Sequence, residues 1–166
     1  MELLFDEKYQ KATAALMAAA KKEVFIIGFQ FTYPFKKKHK ITDIFYDGLL
    51  SARARGLVCR IIMNYTTPEN TISRENKAVS SWLRSNDIEC KHMPRNRCVH
   101  AKMLVIDGTT TVLGSHNFTQ RAFSRNLEAS ISVDDSKIVA QARLRFLELW
   151  ALAVAMPYYA DTPAPK

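Results

Sequence analysis

Three pairs of polar residues stand two positions apart in the second half of the chain, on apolar runs or at their ends. The pairs are His100 with Lys102, Ser115 with Asn117, and Asn126 with Glu128. Residues two apart on an extended strand share one face, and an ionisable group within a strand is costly unless it is paired or functional. The pattern therefore predicts that the three pairs converge on one shared site.

The chemistry of these side chains is complementary. The His100 imidazole can act as a nucleophile or as a proton donor near neutral pH. Lys102 adds a fixed positive charge, and Ser115 and Asn117 add neutral donors. Glu128 can hold an imidazole in one tautomer. Together these groups suit a phosphodiester, which needs cations and donors for its charge, a nucleophile for phosphorus and an acid for the leaving oxygen.

The predicted cluster contains a single histidine. In-line displacement at phosphorus calls for a nucleophile on one side and a proton donor for the leaving group on the other. A twofold dimer would bring a second copy of the cluster across its axis. The sequence therefore predicts a homodimer in which two histidines, two lysines and two asparagines surround one phosphate.

Three segments carry a resemblance to a known family. They are Val99-His100-Ala101-Lys102-Met103-Leu104-Val105-Ile106-Asp107-Gly108, Gly114-Ser115-His116-Asn117 and Asn126-Leu127-Glu128. They resemble the phospholipase D superfamily motif, which is His-x-Lys-x4-Asp with a downstream Gly-Ser-x-Asn and a Glu. A short chain with one copy of the motif resembles the dimeric nuclease branch, whereas phospholipases proper usually carry two copies in one long chain.

The resemblance implies a role for each matched residue. His100 would be the nucleophile that forms a phosphohistidine intermediate, and the partner subunit's His100 would protonate the leaving group and then activate water. Lys102 and Asn117 would hold the phosphate oxygens, with help from Ser115. Glu128 would hydrogen-bond the imidazole, and neither a metal nor a cofactor is implied. The structural members of the motif would be Asp107, which stabilises a turn, Gly114 and Asn126.

The charge balance favours a polyanionic partner. Twenty-four Lys and Arg residues against 16 Asp and Glu residues give a net charge of +8, which attracts nucleic acid or anionic lipid. The lysines of a basic run follow the carboxyl end of the first predicted strand, where open α/β sheets bind ligands, although such a run is also typical of a solvated loop. Four arginines flank the predicted catalytic segments. The candidate nucleic-acid-binding residues are Lys36, Lys37, Lys38, Arg95, Arg97, Arg121 and Arg125.

Hydrophobic periodicity indicates the elements that must position these residues. In the first half it predicts helices over 6–22, 41–56 and 68–86, alternating with strands over 24–31, 57–63 and 88–93. Such alternation is typical of a parallel sheet with helices packed on its faces.

In the second half of the chain, helices and strands are not predicted to alternate. Strands are predicted over 98–106 and 111–115, joined by an Asp107-Gly108 hairpin, and another over 127–133. A last helix should run from Asp134 or Asp135 to about Trp150. Its apolar positions include Ile138, Leu144, Phe146 and Leu147. The prediction is one catalytic domain over residues 1–166, an α/β/α sandwich whose mixed, mainly parallel sheet is flanked by helices, with a loose tail over 156–166.

Several classes of protein are disfavoured. No apolar run approaches the roughly 20 residues of a membrane span, so no integral membrane association is expected. The first residues lack a basic region followed by an apolar run, which predicts a cytoplasmic protein, or a periplasmic or secreted one if a leader has been removed. The zinc site that Cys90, His92 and Cys98 could suggest lacks a closely spaced cysteine pair.

The leading prediction is a metal-independent phosphodiesterase that hydrolyses DNA or RNA through a phosphohistidine. Little sequence preference is expected, because no helix resembles a base-reading helix. One alternative is a phospholipid phosphodiesterase of the same mechanism, acting on cardiolipin-type lipids. The other is a nucleic-acid-binding module in which hydrolysis is secondary.

Overall fold

The structure, a computed structural model, describes residues 1–33 and 40–156, with side chains for 1–33 and 44–156. The predicted groove lysines Lys36, Lys37 and Lys38 lie outside the described residues, and so does the predicted tail beyond Met156. The elements in chain order are β1 (Glu2–Phe5), α1 (Glu7–Ala19), β2 (Glu23–Gly28), α2 (Lys40–Ala54), β3 (Val58–Met63), α3 (Thr71–Arg84), β4 (Glu89–His92), β5 (Met103–Ile106), β6 (Thr110–Gly114), α4 (Gln120–Ser124), β7 (Ala129–Val133), α5 (Ser136–Leu152) and β8 (Val154–Ala155).

Within the described residues the strands form one mixed sheet in the order β1-β7-β6-β5-β2-β3-β4-β8. Only the β2–β3 and β3–β4 pairs are parallel. The β1–β7, β2–β5, β4–β8, β5–β6 and β6–β7 pairs are antiparallel. The prediction of a mainly parallel sheet is therefore wrong. The predicted alternation of helix and strand is confirmed from β2 to β4, where the strands are parallel. In contrast, β5, β6 and β7 form an antiparallel meander, in which neighbouring strands need no crossover helix.

Helices pack on both faces of the sheet, but unequally. On one face, α1 to α4 enclose the larger apolar cluster, and on the other α5 covers a smaller one. The larger cluster includes Tyr9 of α1, Phe45 of α2, Leu83 of α3 and Phe123 of α4. Under α5, the Phe146 ring stacks on Phe25 with the centroids 4.4 Å apart. None of the helices in the described part of the chain is long and apolar enough to cross a membrane.

α5 buries only part of its apolar surface. Its buried residues are Val139, Phe146 and Trp150, whereas Ile138 and Leu144 are 42% and 59% exposed. Of the apolar positions named for this helix, Phe146 is therefore buried and Ile138 and Leu144 are exposed. Apolar residues occur on more than one side of this helix, so periodicity alone did not identify its buried side.

Short elements near the chain ends differ from the predictions. α1 begins at Glu7 and ends at Ala19, inside the predicted 6–22 span, and the four residues before Asp6 form β1. At the other end, the Met156 N–H donates to the Cys90 carbonyl over 3.5 Å and Met156 is 2% exposed. The predicted loose tail therefore does not begin at residue 156.

Two turn predictions have opposite outcomes. The Asp107-Gly108 hairpin is confirmed, because β5 and β6 pair antiparallel on either side of residues 107–109. Asp107 and Gly108 both have positive φ, at 54° and 66°, which is typical of tight hairpin turns. The start of α3 at Pro68 is wrong. α3 begins at Thr71, because the Asn70 side chain caps it by accepting from the Ser73 N–H.

Three predicted strands are shorter than expected at the edge that carries the site. β2, β5 and β7 cover only parts of the predicted strands over 24–31, 98–106 and 127–133. The polar pairs therefore lie on segments just beyond strand ends and not within strands. One cause is visible at Val99, whose N–H donates to the Asn64 side chain and not to a neighbouring strand.

Candidate active site

His100 and Lys102 lie side by side on the segment that leads into β5. The Lys102 Nζ donates to the His100 carbonyl over 2.8 Å and lies 3.4 Å from the His100 Nε2. The Phe29 ring, just beyond β2, packs against both: its centroid is 4.9 Å from the imidazole centroid and 5.3 Å from the ammonium nitrogen. This ring fixes one side of the pair and leaves the exposed side of the imidazole open.

The environment of Lys102 destabilises its positive charge. Burial lowers the pKa of the Lys102 ammonium below its ordinary range, although the nearby Glu128 carboxylate and the Cys98 thiol act in the opposite direction. The ammonium is therefore partly desolvated and within electrostatic reach of Glu128. A phosphate bound beside the Lys102 ammonium would compensate this charge for the hydration that it has lost on burial.

Glu128 forms a compact cluster with Ser115 and Asn126. The Ser115 hydroxyl donates to the Glu128 Oε2, and the Asn126 amide donates to the Oε1 over 2.9 Å. The Ser115 Oγ also accepts from the Ala129 N–H over 3.0 Å. In this single chain both carboxylate oxygens are thus engaged by Ser115 and Asn126. The expected contact of Glu128 with an imidazole stays a prediction.

Asn117 lies between the Ser115 segment and the end of β2. The Phe118 N–H, next in the chain, donates to the Gln30 carbonyl over 3.0 Å, which places Asn117 close to Phe29. Among the described side chains, the Asn117 Oδ1 is buried without a hydrogen-bond partner. Such an atom is costly in a finished structure. This corner of the site is therefore polar and unsatisfied.

Backbone contacts join these segments into one edge of the sheet. The Gly114 N–H donates to the Lys102 carbonyl over 3.2 Å, and the Ser115 N–H donates to the Ala129 carbonyl over 2.9 Å. The structure thus places all six residues of the three predicted pairs along this edge. They bring together an imidazole, an ammonium group, a carboxylate, and amide and hydroxyl groups. Groups of these kinds can bind and attack a tetrahedral anion.

Asp107 and Gly114 lie in the framework of the site. Asp107 is at the far end of β5, where its carboxylate accepts from the N–H groups of Lys21, Lys22 and Glu23 over 2.8 to 3.0 Å. Burial would raise the pKa of Asp107, but these donors outweigh it and the pKa is lowered. A Cβ on Gly114 would collide with the Ala129 and Ser130 backbone, so the close approach of β6 and β7 requires glycine there.

The predicted groove arginines lie on the segments that flank the site. Arg95 and Arg97 are exposed on the segment before His100, and the Arg95 guanidinium lies 5.9 Å from the centroid of the Tyr65 ring. Arg121 and Arg125 are exposed at α4 and its C-terminal end, between the Asn117 and Asn126 segments.

His116 is buried and faces away from the catalytic side chains. Its Nδ1 lies 2.8 Å from the Ser130 Oγ and its Nε2 lies 3.2 Å from the Asp6 carbonyl. The ring stacks on Tyr9 with the centroids 4.1 Å apart, and burial lowers the pKa of the imidazole. In the described part of the chain, no three His, Cys, Asp or Glu residues are grouped so that they could hold a metal ion.

Sequence reasoning missed four residues that support the site. Asn64 and Asn76 are buried amides, Phe29 contacts the His100 ring, and Asp6 binds the Glu128 backbone. One signal was available for Asn64, because it directly follows a predicted strand at the carboxyl edge of the sheet. Asn76 lay inside a predicted helix and Asp6 at the start of another, where polar residues are ordinary.

Comparisons with known proteins agree with this geometry. Residues 14–150 match a family model described as "Cardiolipin synthase, PLD-like domain". The mitochondrial cardiolipin hydrolase of Xenopus laevis is 37% identical over 68 residues, which are 41% of this chain and 32% of that protein. The phospholipase D of Rickettsia conorii is 26% identical over 102 residues, 61% of this chain and 46% of that protein. The chain thus spans between a third and a half of these relatives.

Two solved structures share the fold over nearly their whole length. One is Nuc of Salmonella typhimurium, described as a phospholipase D family member, with a TM-score of 0.78 and 17% identity, covering 95% of this chain and 97% of that one. The other is NucT of Helicobacter pylori, with a TM-score of 0.74 and 20% identity, covering 93% and 97%.

Proposed function

The chain belongs to the phospholipase D superfamily, as a PLD-like domain, and we propose that it is a metal-independent phosphodiesterase that hydrolyses nucleic acid at a site shared by two copies of the chain. The observation that carries this proposal is the position of the Lys102 ammonium, 3.4 Å from the His100 Nε2. A phosphate oxygen bound by that ammonium would place phosphorus within reach of the neighbouring ring nitrogen.

The reaction would proceed in two displacements. The His100 Nε2 attacks phosphorus, the bond to the leaving oxygen breaks, and that oxygen takes a proton from the partner subunit's His100. Water then attacks the phosphohistidine, giving its proton to the same partner imidazole as the N–P bond breaks. Lys102 and the Asn117 amide balance the charge on the phosphate oxygens in both steps. Glu128, held by Ser115 and Asn126, can reorient toward an imidazole once a second copy is present.

An exposed apolar strip on the sheet supports the proposed homodimer. Leu3, Ile131, Leu113, Met103 and Ile27 form one register row across β1, β7, β6, β5 and β2. Ile27 lies under α5 and is 2% exposed, whereas Leu113 is 39% and Leu3 is 58% exposed. α5 thus covers only part of this face. We call the uncovered part, Leu3, Phe5, Leu113 and Ile131, the open face.

The open face runs directly into the site. Ser115 lies two residues beyond Leu113, and its N–H continues the ladder to the Ala129 carbonyl, while Ala129 pairs with Phe5 of the open face. A second copy docked on this face would therefore lie next to the catalytic side chains. It would bury apolar surface and supply the second imidazole that the chemistry requires.

Nucleic acid is the substrate that the charge distribution favours. The net charge is +8, and exposed arginines stand on both sides of the site, Arg95 and Arg97 before His100 and Arg121 and Arg125 at α4. Cations arranged in this way can follow a phosphate backbone beyond the scissile bond.

Cardiolipin is the second candidate substrate. Two relatives, from Xenopus laevis and Xenopus tropicalis, are named mitochondrial cardiolipin hydrolases. In this chain Leu127 precedes Glu128 and is 94% exposed. It lines a surface pocket with Phe5 and with charged residues of both signs, Asp6, Glu7, Lys8 and Arg125. An exposed apolar side chain next to the site suits a phospholipid as well as a packing partner.

The test is a substrate panel that is run in parallel without and with excess chelator. Single-stranded DNA, duplex DNA, RNA and cardiolipin vesicles are each incubated with the wild-type protein and with His100→Ala. We expect the wild type to cleave at least one of the nucleic acids and His100→Ala to cleave none of them. Cleavage of cardiolipin alone would transfer the proposal to the lipid, and loss of wild-type cleavage on adding chelator would overturn the metal-independent mechanism.

A further inference from the structure

Asp6 has a backbone conformation that its side chain disfavours. It lies between β1 and α1 with φ 48° and ψ −120°, a region in which glycine is relaxed and residues with a Cβ are strained. Strained residues of this kind persist where the surrounding contacts determine them, and they are common at functional sites. The contacts of Asp6 therefore need an explanation.

Helix capping does not supply that explanation. Asp6 occupies the N-cap position of α1, yet its side chain makes no capping hydrogen bond. Its Oδ1 instead accepts from the Glu128 N–H over 2.8 Å. The Asp6 N–H donates in return to the Glu128 carbonyl over 3.2 Å. Two residues 122 positions apart are thus joined by a reciprocal pair of bonds.

The same residue also contacts the Ser115-Asn117 segment. The His116 Nε2 lies 3.2 Å from the Asp6 carbonyl, and its Nδ1 is held by the Ser130 hydroxyl. One strained turn therefore contacts the backbone at Glu128 and the buried ring between Ser115 and Asn117.

We propose that Asp6 is a positioning residue, which holds the Glu128 backbone so that its carboxylate stays in the catalytic cluster. This inference rests on the proposed function, because it assumes that Glu128 acts in phosphodiester hydrolysis. Ser115 and Asn126 bind the Glu128 carboxylate, whereas Asp6 binds the Glu128 backbone. Without the Asp6 carboxylate the Glu128 N–H would lose its acceptor, and the segment carrying Glu128 could shift.

Three substitutions separate the acceptor from the strain. Asp6→Asn keeps an oxygen acceptor and, because its side chain has the same shape as that of Asp, leaves the backbone strain unchanged. Asp6→Gly relieves the strain and removes the acceptor, and Asp6→Ala removes the acceptor but keeps the strain. We expect kcat near the wild-type value for Asn, and a loss of about 10- to 100-fold for Gly and Ala alike, as for a misplaced catalytic group, with KM little changed.

A double variant tests whether Asp6 acts through Glu128. Asp6→Gly in a Glu128→Ala background should cost no further activity, because the group being positioned is already absent. Hydrogen exchange of the Glu128 amide gives a readout that does not depend on activity: it should be faster in the Gly and Ala variants and unchanged in Asn.

The outcomes distinguish this inference from the proposed function. If the wild type cleaves no substrate but Asp6→Gly speeds exchange at the Glu128 amide, the proposed function fails and the positioning contact stands. If wild-type cleavage is normal and Asp6→Gly is equally active, or if Asn loses as much as Gly, the role of Asp6 is refuted. An unchanged Glu128 amide in Asp6→Gly would refute it as well.

Discussion

The Asn64 side chain accepts a hydrogen bond from the Val99 N–H over 3.0 Å, one residue before His100. Asn64 is in turn held by Asn76 of α3, whose amide donates to the Asn64 carbonyl over 2.7 Å and to the Phe29 carbonyl over 2.8 Å. A buried chain of amides therefore connects the ends of β2 and β3 with the segment that carries His100. It holds the backbone beside His100 and the backbone of Phe29, whose ring packs against that imidazole.

Asn64→Ala should weaken both stability and catalysis. The Val99 N–H would be left buried without an acceptor, which costs about 1–3 kcal/mol in the free energy of unfolding. Release of the His100 segment should also lower kcat by roughly tenfold or more. Thermal unfolding and steady-state cleavage measure the two effects. The matched control is Asn86→Ala, which removes an amide bonded to the Trp82 carbonyl far from the site, and a similar kcat loss there would contradict the role of Asn64.

Lys102→Arg should extend phosphate binding to higher pH. Burial lowers the pKa of the Lys102 ammonium, so its charge, and phosphate binding with it, should be lost at a lower pH than for an exposed lysine. A guanidinium stays protonated to pH 12 or above. In a His100→Ala background, where the proposed acid and base no longer contribute, the affinity for an oligonucleotide should therefore persist to higher pH with Lys102→Arg than with Lys102, even if it is weaker at neutral pH. The same pH dependence of binding in both proteins would show that another group sets it.

The local features of the site could be predicted from the sequence, whereas its long-range contacts could not. The spacing of His100 and Lys102 and the Asp107-Gly108 turn are properties of short segments, and the structure places them as the pattern indicates. Asp6 shows the limit. Its position at the start of the predicted 6–22 helix gave no sign of a distant partner, but its carboxylate binds the Glu128 N–H from the other end of the chain.

The sequence did not predict the direction of strand pairing correctly, for a similar reason. Apolar runs such as 24–31 and 98–106 indicate burial, but burial does not specify whether the neighbouring strand is parallel. The four-residue strand β1 and the two-residue β8 are too short for a periodic signal, and both gain their hydrogen bonds from distant strands. Register and pairing depend on the packing of the whole domain.

Substitution of Asp107 should affect folding and leave the chemistry intact. Asp107→Ala removes the acceptor of three backbone N–H groups and should cost about 2–3 kcal/mol of the free energy of unfolding. Because the pKa of this carboxyl is lowered in the folded state, its contribution is present above the ordinary aspartate pKa of about 3.9 and is lost as pH falls below it. The gap between wild type and variant in urea unfolding should thus close in acid. A constant gap would contradict this assignment.

Stability should fall in mild acid because of two buried histidines. Burial lowers the pKa of His116 and of His92, so below the ordinary histidine value of about 6.5 the unfolded chain binds more protons than the folded one. The free energy of unfolding should decrease from about pH 7 to pH 5. Its slope should become shallower in His116→Gln and in His92→Gln, and shallower still in the double variant. If the slope survives in the double variant, other groups cause it.

Leu113→Asp should separate the two proposed subunits and abolish turnover. Leu113 is 39% exposed in the open face and lies two residues before Ser115, so a carboxylate there would be buried without a partner in any dimer that uses this face. The variant should elute as a monomer in size-exclusion chromatography with light scattering, and its melting temperature should no longer depend on protein concentration, as that of a dissociating dimer does. Val58→Asp is the matched control, since Val58 is 45% exposed at the start of β3, at the opposite edge of the fold. A Leu113→Asp protein that is monomeric but fully active would show that one chain completes the reaction, and a dimer that survives the substitution would place the contact on another face.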